Sequence, residues 1–110
     1  MYSTAFIFEP GTYDERFYAL DALIEEAART MPGYLSSELW LSPDAVLRNA
    51  TYFWETEESL CTFSVYPKHL KAKRQYIQWC KGFHIVISQV LRSYGDGKIA
   101  HITRNQRAHA

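Results

Sequence analysis

Proline and glycine cut this chain at short intervals, and the cuts decide what it can fold into. Pro10-Gly11, Pro32-Gly33, Ser42-Pro43-Asp44-Ala45, Pro67, Gly82 and Gly95-Asp96-Gly97 leave segments whose periodicity can be read one at a time. Tyr2–Glu9 alternates, with Phe6 and Phe8 on one face and Ala5 and Ile7 on the other, which predicts a strand. Thr12-Tyr13-Asp14-Glu15 reads as a capping box: the Thr12 hydroxyl can accept from the Glu15 amide while the Glu15 side chain reaches back. Behind it Phe17, Leu20, Ile24, Ala27 and Met31 form one helical stripe, and Pro32-Gly33 stops a helix of about five turns.

Tyr34–Leu41 and Val46–Glu55 are rich in strand formers and predict a hairpin. Pro43 presets a type I turn between them, and Ser42 is placed to bond the backbone. Glu57 and Glu58 suit the positive end of a helix dipole. Pro67 interrupts that helix, Lys68–Lys81 resumes it, Gly82 closes it, and Phe83–Tyr94 reads as a last strand. The order β-α-β-β-α-β predicts an α+β, ferredoxin-like fold: a four-stranded antiparallel sheet with both helices on one face.

At 110 residues the chain has length for one core. We expect a domain over residues 1–95 and a C-terminal tail over 96–110, in which Lys98, Arg104 and Arg107 accompany little apolar content; the tail is either mobile or reaches across a partner. Twelve basic residues balance twelve acidic ones, which argues against nucleic acid as a partner. Apolar stretches such as Ala5–Phe8 and Phe83–Ile87 fall far short of the ~20 residues that cross a bilayer. The first residues lack the pattern of a signal peptide, so the expected location is the cytoplasm. Cys61 and Cys80 have neither metal-ligand nor redox spacing and read as small buried hydrophobes.

The compositional excess is aromatic: three Trp, eight Tyr and six Phe. In the third strand Tyr52 and Trp54 point one way while Leu47, Thr51 and Phe53 point the other. The last strand opposes Phe83, Ile85, Ile87 and Leu91 to His84, Val86, Ser88 and Val90. Helices cover one side only, so a sheet apolar on both predicts a homodimer with the two sheets facing.

The runs MPGYLSSELWLS, ATYFWETEESL and YPKHLKAKRQY, followed by a final apolar strand, together resemble the antibiotic biosynthesis monooxygenase domain family over about residues 1–95. The resemblance implies a dimeric α+β barrel with a small-molecule pocket between sheet and helices. Its members include cofactor-free oxygenases acting on phenols or quinol-like compounds and haem-degrading monooxygenases. In both, a tryptophan late in the third strand contacts the ligand, and Trp54 matches it; its other reading is core. Where the haem-degrading group has an axial histidine this chain has Lys73, and where that group has a strand-one asparagine it has Phe6 or Phe8, which disfavours haem. The quinone-forming oxygenases use an asparagine beside their tryptophan; here Ala50 occupies that face and Asn49 the opposite one. Arg74 is left as the candidate cation, and Tyr52, Tyr66 or Tyr76 as the phenol.

Each remaining candidate carries two readings. His69, at the start of the Lys68–Lys81 run, is a base for an acidic phenol or an exposed helix-start residue. His84 is a ligand contact or a hydrogen-bonded structural histidine. Arg48, on the strand face of Tyr52 and Trp54, is an anion-binding group or the partner of Glu38 across the hairpin. Trp40 and Trp79 read as core or dimer contacts. His101 and His109 fall in the tail, and the four histidines lack metal-ligand spacing. The expected function is therefore a cofactor-independent, monooxygenase-like homodimer that takes a small aromatic molecule and dioxygen at a site of Trp54, His69 and Arg74. Arg48, Tyr52, Tyr66, Tyr76 and His84 are its expected binding residues. The alternatives are a non-catalytic binding or stress-related module and a haem protein ligated by His69 or His84.

Overall fold

The alternation of the first segment forms β1 (Tyr2–Pro10), and the apolar stripe behind it forms α1 (Glu15–Thr30). The hairpin follows as β2 (Tyr34–Leu41) and β3 (Arg48–Trp54); α2 (Glu57–Val65) and β4 (Cys80–Gln89) complete the βαββαβ order. This computed structural model describes residues 1–11, 15–65, 74 and 80–103, and for Phe17, Leu20, Ser64 and Val65 the backbone alone. The expected capping box and most of the expected Lys68–Lys81 helix lie outside the described residues. The four strands form one antiparallel sheet in the order β2-β3-β1-β4.

The hairpin turn closes as its sequence asks. The Ala45 amide donates to the Ser42 carbonyl at 2.8 Å, and the Leu47 amide to the Ser42 hydroxyl at 3.0 Å. Arg48 faces Leu41 and Glu38 faces Thr51, so Arg48 and Glu38 lie on opposite faces of the sheet. The expected Arg48–Glu38 pair is thereby excluded.

β4 starts and ends earlier than its sequence signal. Pairing with β1 continues to Pro10, opposite Cys80, which draws Gly82 into the strand opposite Glu9 rather than leaving it as a helix stop. At the other end Gln89 faces Tyr2, the first residue of β1, so Val90–Tyr94 have no strand to follow and Leu91 is 84% exposed.

Both helices cover one face. Ala28 from α1, Leu60 and Phe63 from α2 and Trp54 from β3 form the buried cluster, and Ile24, Ala27 and Met31 pack against it, as the helical stripe requires. The junction beneath Trp54 is tight. Gly33 has φ 87°, and a Cβ there would lie 1.9 Å from Ser59 Oγ. Thr56 caps α2 by accepting from the Ser59 amide at 3.1 Å.

The second face is less apolar than the sequence suggested. Its β1 and β4 positions are Ser3, Ala5, Ile7, His84, Val86 and Ser88, while β2 and β3 contribute Glu38, Trp40, Thr51 and Phe53. Leu47 lies in the hairpin loop, outside β3. The start of the tail folds back over the β2–β3 side: His101 contacts the Glu38 carboxylate and sets its ring edge-on to Phe53 at 5.5 Å. Trp40, expected in a core or interface, is 65% exposed in the single chain and donates to Glu38 at 2.9 Å. Cys61 is exposed rather than buried, and burial raises the pKa of the half-buried Cys80. Among the described residues no helix is long and apolar enough to cross a membrane.

Candidate active site

Strand register arranges the helix-covered face in rows. Trp54 stands between Tyr34 and Tyr2; Tyr52 between Ser37 and Thr4; Ala50 between Leu39 and Phe6; Arg48 between Leu41 and Phe8. An aromatic floor at one end thus gives way to a row of three hydroxyls, and then to a row whose middle residue has only a methyl group.

Trp54 dominates the floor. It has no exposed surface, and its ring centroid lies 5.0 Å from Phe63, 5.8 Å from Tyr34 and 6.4 Å from Tyr52, with Tyr34 edge-on. This packing explains the position's burial. It leaves one thing unexplained: the indole Nε1 is fully buried, and its N–H has no acceptor among the described residues. A buried donor without a partner costs about 1–3 kcal/mol, and native structures carry few of them.

The hydroxyl row borders carboxylates of α1. Burial, with Glu25 and Asp21 nearby, pushes the Tyr52 phenol far above its ordinary range, which favours its protonated form. Tyr34 donates to Ser37 Oγ at 3.3 Å. Asp21 is exposed on the surface of α1; partial desolvation there, and then repulsion from Glu25, raises it above the usual carboxylate range. Glu25 is itself paired with Arg29 at 2.8 Å. Asp21 and Glu25 had no place among the sequence candidates.

Trp54 and Tyr52 are brought together on one face, as their spacing required. Arg48 shares that face but stands six residues away along β3, a separation of about 20 Å. His84 faces Ile7 on the opposite side of the sheet and is exposed. Arg74 is helical and exposed. His69, Tyr66, Tyr76, Lys73 and Trp79 lie outside the described residues.

The strand order and one-sided helices define the class: a ferredoxin-like α+β fold. No family model matches the chain, and no curated protein sequence does. Solved structures do. The chain is similar to SnoaB, a cofactor-independent oxygenase from Streptomyces nogalater, with TM-score 0.70 and 11% identity over 84% of this chain and 94% of that one. It is also similar to a proposed antibiotic biosynthesis monooxygenase from Nitrosomonas europaea, with TM-score 0.68 and 18% identity over 84% of this chain and 100% of the other. Rv0793 from Mycobacterium tuberculosis gives TM-score 0.65 and 17% identity over 86% and 98%. The chain therefore has the fold of the antibiotic biosynthesis monooxygenases, the group its sequence runs resemble.

Proposed function

We propose that this chain is a monooxygenase-type protein of that group, binding a small aromatic or quinol-type molecule against Trp54 and delivering it to dioxygen. The observation that carries the reading is the Trp54 N–H, which is fully buried yet lacks an acceptor among the described residues. A ligand oxygen would complete that hydrogen bond, and the flat walls of Tyr34, Tyr52 and Phe63 suit a ring. SnoaB is a cofactor-independent oxygenase; by analogy the chemistry here needs neither metal nor flavin. The substrate itself supplies electrons to dioxygen once its hydroxyl is deprotonated, with His69 as the proposed base and Arg74 as the proposed cation. Tyr66 and Tyr76 complete the proposed binding set. The working form is a cytoplasmic homodimer paired through the second face of the sheet.

The test is oxygen uptake by the purified protein with a panel of phenols and hydroquinones, with Trp54→Phe and His69→Ala in parallel. Turnover that falls at least 100-fold in both variants supports the reading; uptake unchanged in both overturns it. A Soret band in the purified protein would instead favour the haem alternative.

A further inference from the structure

The start of the tail lines up polar groups on the sheet face opposite Trp54. Glu38, on β2, contacts His101 Nε2 with one carboxylate oxygen and accepts from the Trp40 indole at 2.9 Å with the other. The far side of the imidazole meets Thr103, whose backbone amide donates to Nδ1 at 3.1 Å and whose Oγ1 lies 2.7 Å from the same atom. An amide can only donate, so Nδ1 is an acceptor and the ring proton belongs to Nε2, against Glu38. The Thr103 hydroxyl therefore aims its proton at an imidazole lone pair, and its oxygen accepts in turn from Ser93. A hydroxyl, a base and a carboxylate that orients the base thus stand in line, the first two from the tail and the third from the hairpin. The line also borders a space: Ser93, His101 and Thr103 share with Gly95, Gly97 and Ile99 the wall of a cavity of about 700 Å³. A Cβ at Gly95 or Gly97 would meet nothing within 4 Å, so the glycine rim leaves the approach open.

We propose that this line is a second catalytic site, separate from the ring-binding site, which hydrolyses small uncharged esters with Thr103 as nucleophile, His101 as base and Glu38 as the residue that positions the base. Acyl transfer needs that order of groups, because a hydroxyl attacks only as it gives up its proton. Thr103 Oγ1 bonds to the ester carbonyl carbon while its proton passes to His101 Nδ1, and Glu38 faces the imidazolium so formed. The ester C–O bond then breaks, the departing alkoxide takes the proton from Nδ1 and leaves as alcohol, and the acyl group stays on Thr103. Water reverses the sequence: its oxygen bonds to the acyl carbon, its proton goes by way of Nδ1 to Thr103 Oγ1 as the threonine ester breaks, and the acid is released. Nothing is oxidised or reduced. The cavity limits the ester's size, and Asp96, its one acidic lining residue, repels esters that carry a carboxylate. A clasp that only fastened the tail to the sheet would make the same hydrogen bonds but no acyl bond.

The experiment follows hydrolysis of p-nitrophenyl acetate by the full chain, comparing the wild type with Thr103→Val, His101→Gln, Glu38→Gln and the control Lys98→Gln, each checked for folding by circular dichroism. Acid-quenched wild type is digested with trypsin, and the peptide Ile99–Arg104 is searched for acetyl by mass spectrometry with fragmentation. The wild type should exceed an equal concentration of free imidazole about 100-fold, with acetyl on Thr103. Thr103→Val and His101→Gln should fall to the imidazole rate or below it, and Lys98→Gln should match the wild type. Glu38→Gln should lower kcat about tenfold with KM unchanged, since it removes the charge facing the imidazolium and leaves the cavity as it was. Thr103→Ser should keep the activity, and the acetyl search on the wild type decides the matter if the valine variant fails to fold. A wild type no faster than imidazole, acetyl found only elsewhere than on Thr103, or a folded Thr103→Val protein as active as the wild type overturns the site. None of these results bears on the site at Trp54.

Discussion

Replacing Trp54 by Phe separates a tryptophan that only fills space from one that holds a donor in reserve. The substitution removes the pyrrole half of the indole and the N–H with it, and keeps a ring among Phe63, Tyr34 and Tyr52. About 40 Å³ of side chain is lost, and at about 24 cal/mol per Å³ the resulting cavity costs ~1 kcal/mol before relaxation, with the lost apolar transfer adding roughly as much. On the other side, the donor that lacks an acceptor disappears, and with it a desolvation cost of about 1–3 kcal/mol. The two effects nearly cancel, so Trp54→Phe should change stability by no more than about 1 kcal/mol. A buried tryptophan with a satisfied N–H would instead lose the hydrogen bond as well, for a total of about 3 kcal/mol. Urea unfolding followed by far-ultraviolet circular dichroism gives the first number, with an unchanged slope required for the comparison. Titration with 4-methoxyphenol, read by ligand-observed NMR because the probe tryptophan is altered, gives the second: affinity should fall about tenfold for one lost hydrogen bond. A variant destabilised by more than about 2 kcal/mol with undiminished affinity would refute the reasoning, since it would show the N–H to be satisfied within the fold.

Other perturbations test the frame around the site. Gly33→Ala should destabilise by about 2–4 kcal/mol in the same urea assay, because it adds left-handed backbone strain to a collision with Ser59; a loss under 1 kcal/mol would mean that the Ser59 turn yields freely. The raised pKa of Tyr52 favours its neutral form in the fold, so its contribution to stability is intact below pH 10 and is lost as pH rises beyond that value. Alkaline titration at 295 nm should show one phenol that ionises only as the chain unfolds, and Tyr52→Phe should abolish that step.

The elements were legible because their periodicities are local. Phe6 and Phe8 alternate with Ala5 and Ile7 whatever lies beside them, and Ile24, Ala27 and Met31 mark a stripe before any sheet is present for them to cover. Strand ends were not, because a strand stops where its neighbour stops: Gln89 is the last residue of β4 because Tyr2 begins β1. Register was also hidden. Whether Arg48 meets Glu38 depends on which residues the hairpin pairs, and Leu41 opposite Arg48 decides it. At the site, Tyr52 and Trp54 could be placed on one face from their spacing, but an N–H without an acceptor among the described residues could not be foreseen. It depends on what three separate elements leave around one nitrogen.

The two halves of the second face bear differently on the proposed dimer. On the β2–β3 side the tail covers part of the face, since His101 lies against Glu38 and Phe53, and Thr103 is buried and bonded to His101 Nδ1 at 2.7 Å, while Trp40 stays 65% exposed. On the β1–β4 side Ile7 and Val86 keep solvent contact, Val86 at 40%. The proposed dimer would therefore find its uncovered apolar footing on Ile7 and Val86, with Trp40 as a second exposed group on the same face. Around a twofold axis a single substitution enters the interface twice, so Val86→Glu would place two like charges within one apolar patch. Each buried carboxylate costs several kcal/mol, so the dissociation constant should rise at least 100-fold, seen in sedimentation velocity as a shift to the single-chain mass. His101→Ala should leave that mass unchanged if pairing uses the β1–β4 side alone. A wild type that sediments as one chain at all concentrations would remove the dimer. A Val86→Glu protein that still pairs would move the contact to the side that the tail now covers.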